Sequence, residues 1–204
     1  MTLFTFGDSI LDCGGYNPHG VDPGQLIVRN DDALFPEFRG RDLSSRRGGA
    51  RLEHRARDGA TSVDLALQLR GVVATPGAVA LVTVGGNDLI RGLAADRTGA
   101  GVAAFAATLR RFLVQLPIRP VLLGSVYDPT FGDDARNFLA IQPALARANL
   151  KRVNDAIGEL AATHGRLADL HAHFLRGEAS WFTRTIEPSL SGASEVRRVF
   201  LELL

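Results

Sequence analysis

Apolar residues fall along this chain in two rhythms. Short continuous runs, bounded by Gly, Pro or charged residues, mark strands buried on both faces: Leu3 to Phe6, Val79 to Val84 and Pro120 to Val126, with a shorter one at Leu167 to Leu170. Arg51 to Ala56 alternates apolar with charged positions too heavily for a central strand and suits a sheet edge. Between the runs the rhythm lengthens to a helical period. Thr61 or Ser62 caps a helix predicted through Arg70, and Phe105, Leu109, Phe112 and Leu116 share one face of the next. The longest helix is predicted from Pro143 to Thr163, with Ala146, Leu150, Val153, Ile157 and Leu160 on its apolar face and Gly165 just past its end. A last helix spans Ser191 to Leu204. Strand and helix patterns that alternate in this way predict an α/β fold, a three-layer sandwich whose mostly parallel sheet of about five strands is covered on both faces.

The 204 residues, 46% of them hydrophobic, suffice for one sizeable core and fall short of two, so a single domain over 1–204 is expected. One long irregular segment, Cys13 to Gly49, interrupts the alternation. Its apolar stretch Leu34 to Phe38 is expected to pack back on the body, and a loop of this length is suited to walling a pocket. A formal net charge of +1 provides no field for nucleic acid or an anionic membrane. Cys13 is the single cysteine, which excludes an intrachain disulfide and a thiolate metal cluster. With no signal-like leader and no run long enough to span a bilayer, the expected location is cytoplasmic.

In an open parallel sheet, ligands bind beyond the carboxyl ends of the strands, so the residues after each strand carry the chemistry. The first strand is followed by Gly7-Asp8-Ser9, the second by Asp58-Gly59, and the third by Gly85-Gly86-Asn87-Asp88. A serine at a strand-to-helix turn can attack a carbonyl while its own N–H faces the developing oxyanion. Gly59 offers an unobstructed second N–H and Asn87 a side-chain amide. Each of the three also has a plain structural role available, as a helix cap, a turn and an Asx-turn. Their placement after consecutive strands is what joins them into one acyl-transfer site.

The segments Phe4 to Leu11, Asp58 to Leu65 and Val82 to Leu89 resemble the first three conserved blocks of the SGNH or GDSL hydrolases. That resemblance implies a flavodoxin-like sandwich and a serine esterase or lipase-type activity on a small-molecule ester, with no metal or organic cofactor. It also implies Ser9 as nucleophile, with the Ser9 and Gly59 N–H groups and the Asn87 amide forming the oxyanion hole. The family's last block, an aspartate and a histidine three residues apart before a proline, falls on Arg184 and Glu187 ahead of Pro188. Both partners are changed.

A serine hydroxyl is a weak nucleophile at neutral pH without a base. Glu187 can serve if burial raises its pKa, although Arg184 would oppose that. A histidine recruited from elsewhere is a second reading, with His171 and His173 after the fifth strand and His19 in the long loop as candidates. In a third, Glu187 and Arg184 form an ion pair that shapes the loop of a ligand-binding relative without hydrolysis. A flavodoxin-type nucleotide site is disfavoured, because Asp8 stands where a phosphate would be repelled. His171 and His173 lack a third ligand for a metal. The acidic stretch Asp128 to Asp134 is expected to be a solvated turn, and Trp181 either walls the pocket or packs.

Overall fold

The computed structural model describes residues 1–204. Its central sheet comprises β1 (Thr2–Gly7), β2 (Arg51–His54), β3 (Val79–Thr83), β4 (Val121–Gly124) and β5 (Arg166–Ala168). A two-stranded hairpin, β6 (Phe182–Thr183) and β7 (Glu187–Pro188), lies outside it. The helices are α1 (Pro23–Val28), α2 (Leu43–Arg47), α3 (Leu65–Gln68), α4 (Gly86–Ile90), α5 (Ala100–Gln115), α6 (Pro143–His164), α7 (Leu170–Phe174) and α8 (Leu190–Leu201). The five strands are parallel in the order β2-β1-β3-β4-β5. Strand order therefore reverses between β1 and β3, and in such sheets the crevice beyond this switch point is where ligands bind.

Alternation along each strand divides the core in two. Phe4 and Phe6, Ala80 and Val82, and Val121 and Leu123 face one layer, where they meet Phe105, Leu109 and Phe112 of α5 and Val153, Ile157 and Leu160 of α6. Leu3, Val79, Leu81 and Leu122 face the other, against Leu26 and Ile27 of α1 and Val196 and Phe200 of α8. These strands are thus apolar on both sides, as their unbroken runs predict. The Arg51 strand takes the edge beside β1 and leaves Arg51 and His54 exposed.

Three predicted elements differ: the segment Cys13 to Gly49, expected to be irregular, holds the short helices α1 and α2. The helix after Thr61 begins as a turn of 3₁₀ helix at Ser62–Asp64 and continues only to Gln68. The fifth strand ends at Ala168, and Leu170 opens α7 with Asp169 as its N-cap, accepting from the Ala172 N–H at 3.0 Å. The apolar part of the long loop does pack back: Phe35 and Phe38 are buried in the second layer. There they sandwich the guanidinium of Arg197, whose carbon lies 3.6 Å from the Phe38 ring centroid and 4.5 Å from that of Phe35. Arg197 donates to Asn30 Oδ1 at 2.6 Å and to the Ser194 hydroxyl, tying the loop to α8. Burial lowers its pKa to about 10.

Candidate active site

The turn after β1 is set by backbone geometry before any side chain acts. Gly7 has φ +120°, and a Cβ there would lie 1.6 Å from the Thr83 carbonyl oxygen, so only glycine lets the ends of β1 and β3 approach this closely. The Gln68 side chain brackets the same residue, accepting from Gly7 N–H at 2.7 Å and donating to Gly7 O at 2.8 Å. Gln68 is a positioning residue that sequence reasoning missed, since a glutamine inside a short helix carries no signal of its own. Asp8 is buried, and its Oδ1 accepts from Thr83 Oγ1 at 2.9 Å and Ile10 N–H at 3.2 Å. Burial raises its pKa to about 7 against the pull of those bonds, with the nearby Asp88 and Glu187 carboxyls adding to the rise.

Ser9 follows, nearly buried, with no hydrogen-bond partner within the protein for its N–H. The Gly59 N–H is likewise unengaged, while its neighbours are fixed: Asp58 N–H donates to Asp12 Oδ2 at 2.7 Å and Ala60 N–H to Arg57 O at 3.1 Å. Gly59 adopts φ +75°, and Arg91 donates to its carbonyl at 2.8 Å. Asn87 donates one of its two amide hydrogens to Ala60 O at 3.0 Å, leaving the other free. Beside it, Asp88 accepts from the Ser62 hydroxyl at 2.6 Å and from Ser62 N–H at 3.0 Å. The segments after β2 and β3 are therefore bolted together, and the N–H groups of Ser9 and Gly59 and one amide hydrogen of Asn87 remain uncommitted. A longer polar chain supports the Gly59 turn. His54 bridges Thr5 Oγ1 (2.8 Å) and Asp12 Oδ1 (3.2 Å), Asp12 holds Asp58, and the Tyr16 hydroxyl donates to Asp58.

Glu187 comes from the β6–β7 hairpin, in which Thr183 pairs with Glu187 across Arg184, Thr185 and Ile186. Arg184 and Thr185 hold φ +46° and +76°, a left-handed conformation that costs a β-branched residue such as Thr185 about 1–3 kcal/mol. The hairpin is pinned at its tip by the Tyr127 hydroxyl, which donates to Ile186 O at 2.8 Å, and at its base by Gly192. A Cβ on Gly192 would lie 2.0 Å from the Trp181 carbonyl oxygen. Burial raises the Glu187 pKa, and Asp58 adds to the rise. The Ser9 hydroxyl, approaching as a donor, and the Arg184 charge oppose it. No hydrogen bond of full geometry joins Ser9 to Glu187, so the pair is adjacent and not yet bonded, and Glu187 Oε2 is buried with no protein partner.

Arg184 forms no ion pair with Glu187. Its guanidinium stacks on Tyr16, 5.0 Å from the ring centroid, which corrects the ion-pair reading of this block. The histidines are engaged elsewhere. His171 and His173 lie on α7, not on a strand: His171 Nδ1 sits 3.1 Å from Val126 O, and His173 Nε2 is 2.8 Å from Glu195 Oε2 with Trp181 stacked on its ring. His19 is exposed on a broad groove lined by none of the site residues. Trp181 packs against His173 and Phe174 and does not line the cleft beside Ser9. Of the expected solvated turn, Asp133 and Asp134 are exposed, but Asp128 is buried, because it caps its own loop by accepting from Thr130 and Gly132 N–H groups. A cleft of about 120 Å³ opens beside Ser9 and Asn87, walled by α4, residues 126–139 and the start of α6.

The family model of the GDSL-like lipase/acylhydrolase family matches residues 5–192. The chain belongs to that family. Among curated proteins none matches this GDSL-like chain. Several solved structures share its fold. An acetylxylan esterase from Geobacillus stearothermophilus superposes with a TM-score of 0.70 at 20% identity, covering 98% of this chain and 92% of that one. An alpha/beta hydrolase from the metagenome of Lake Arreo gives 0.65 at 23% identity, covering 98% and 93%. A lipolytic G-D-S-L family member from Veillonella parvula gives 0.67 at 18% identity, covering 100% and 98%. At these identities the likeness establishes the architecture alone. Membership fits the Gly7-Asp8-Ser9 turn and the Gly86-Asn87-Asp88 segment, both within the matched residues. No helix is long and apolar enough to cross a membrane.

Proposed function

We propose that this GDSL-family protein is a carboxylic ester hydrolase in which Ser9 is the nucleophile and Glu187 the general base. The observation that carries the reading is that Glu187, a carboxylate with a raised pKa and an unpartnered buried oxygen, is the group adjacent to the Ser9 hydroxyl. Burial makes it a stronger base than an exposed glutamate. In the acylation step the Ser9 hydroxyl proton passes to Glu187 as Oγ adds to the ester carbonyl. The oxyanion is met by the Ser9 and Gly59 N–H groups and the free Asn87 amide hydrogen. Each such donor typically contributes about 3 kcal/mol to the transition state. Collapse breaks the bond to the alcohol oxygen, which leaves with the proton from Glu187. Water then enters by the same sequence and releases the acid. Acetylated sugars are among the substrates the fold accommodates in its relatives, and the acetylxylan esterase likeness supports small acyl esters as a class.

A non-hydrolysing ligand-binding relative is the second reading, and one observation favours it: no third residue hydrogen-bonds Glu187 to orient it. Turnover of p-nitrophenyl acetate separates the two. The hydrolase reading expects turnover that Ser9→Ala lowers by at least about a thousand-fold. Turnover unchanged by Ser9→Ala would remove that residue from the mechanism.

A further inference from the structure

The cleft beside Ser9 is apolar to a degree that an acetyl group does not require. Its walls are Leu89, Ala94, Val126, Leu139, Ala146 and Leu150, and its rim exposes two large apolar side chains, Ile90 and Phe138. Pro143, Ala146 and Leu150 line it from one face of α6, because residues three and four apart on a helix share a face. Three of its wall positions, Gly86, Ala94 and Ala146, carry no side chain beyond a methyl, which is what leaves the space open. Ser9 and Asn87 are among its lining residues, so a group held in it is within reach of an ester carbonyl at Ser9. Its volume of about 120 Å³ is close to the ~150 Å³ apolar cavity that holds a benzene ring. A methyl group would leave most of it unfilled.

The charged residues of the cleft do not alter this assignment. Arg147 is paired with Asp134 and Asp133 with Arg136, Asp128 is consumed in capping its own loop, and Asp8 is held by Thr83 and Ile10. Ser9 and Asn87, which also line the cleft, keep free donors. A sugar ring would bury hydroxyls against Leu139, Ala146 and Leu150 without partners, whereas an alkyl chain buries none.

We propose that this cleft is an acyl-chain site, selecting straight-chain acyl groups of about four to six carbons over acetyl. The assignment rests on Ser9 as the nucleophile for its kinetic form, and on the shape and chemistry of the cleft alone for its binding form. With p-nitrophenyl esters from acetate to decanoate, kcat/KM is expected to rise by up to about fourfold per added methylene and to level off near hexanoate. Ala146→Phe, which fills the cleft from α6, is expected to abolish the rise. A series that falls from acetate onward in the unmodified protein overturns the proposal. So does an Ala146→Phe effect that follows the alcohol length of a set of acetate esters and leaves the acyl series unmoved.

A second arm needs no catalysis. In Ser9→Ala, binding of N-methylhexanamide and N-methylacetamide is compared by ligand-observed NMR. At least tenfold tighter binding of the hexanamide, lost in Ser9→Ala/Ala146→Phe, supports the site even if no ester is turned over, and in that case only the hydrolase reading falls. Equal binding of the two amides overturns the acyl-chain site.

Discussion

Burial sets the behaviour of both carboxyls beside Ser9. Asp8 ionises near pH 7 in the folded protein and near 3.8 when exposed. Between those values the unfolded chain has released a proton that the folded one keeps, so stability falls as pH rises from about 4 to 7. Asp8→Asn keeps the acceptor for Thr83 and Ile10 and removes the ionisation. It is expected to be more stable than the natural protein at pH 8, by up to a few kcal/mol at ~1.4 kcal/mol per pH unit, with the advantage shrinking toward pH 4. Urea unfolding of both proteins at the two pH values measures this, and a constant difference would contradict it. The acidic environment is only partly legible from sequence. Ser9, Gly59 and Asn87 follow from their places after strands, and Glu187 from its place before Pro188. That Arg184 turns away to stack on Tyr16 depends on a left-handed backbone at Arg184 and Thr185, which no propensity of those residues announces.

The hairpin carrying Glu187 has few contacts of its own and is held by its neighbours. Gly192, at the start of α8, lets the Trp181 carbonyl approach where a methyl cannot fit, and Ser189 N–H donates to that same oxygen at 2.9 Å. Gly192→Ala is therefore expected to push the hairpin off α8. A displacement of about 1 Å at the base is expected to lower esterase activity on the order of a hundredfold, while strands β1 to β5 keep their hydrogen-exchange protection. Activity close to that of the natural protein would show that the hairpin does not depend on this contact. The same scale explains why α7 was hidden. "DLHAHF" offers apolar and histidine positions in alternation, which reads as a strand, but Asp169 caps the Ala172 N–H and accepts from the Ser125 hydroxyl at 3.0 Å, starting a helix. Short segments are decided by such tertiary bonds, whereas α6, with six turns of consistent periodicity, is legible to within a residue.

At the scale of the molecule, the reversal of strand order between β1 and β3 places the segments that follow these two strands side by side at the crevice. This follows from five parallel strands and right-handed crossovers, so the topology was legible, and with it the crevice in which the site is proposed. What sequence could not supply is how the edges are closed: the Gln68 clamp, the Asp88–Ser62 bolt and the aromatic sandwich around Arg197 all join residues distant along the chain. The central claim is that this assembly activates Ser9 through Glu187. The most direct test is the rate of Ser9 labelling by a fluorophosphonate probe as a function of pH, in the natural protein and in Glu187→Gln. The rate is expected to rise through a single pKa above the ordinary glutamate range. In Glu187→Gln it is expected to fall by about a hundred- to ten-thousand-fold and to lose that titration. Labelling at the natural rate in Glu187→Gln, with the same pH profile, would contradict the account.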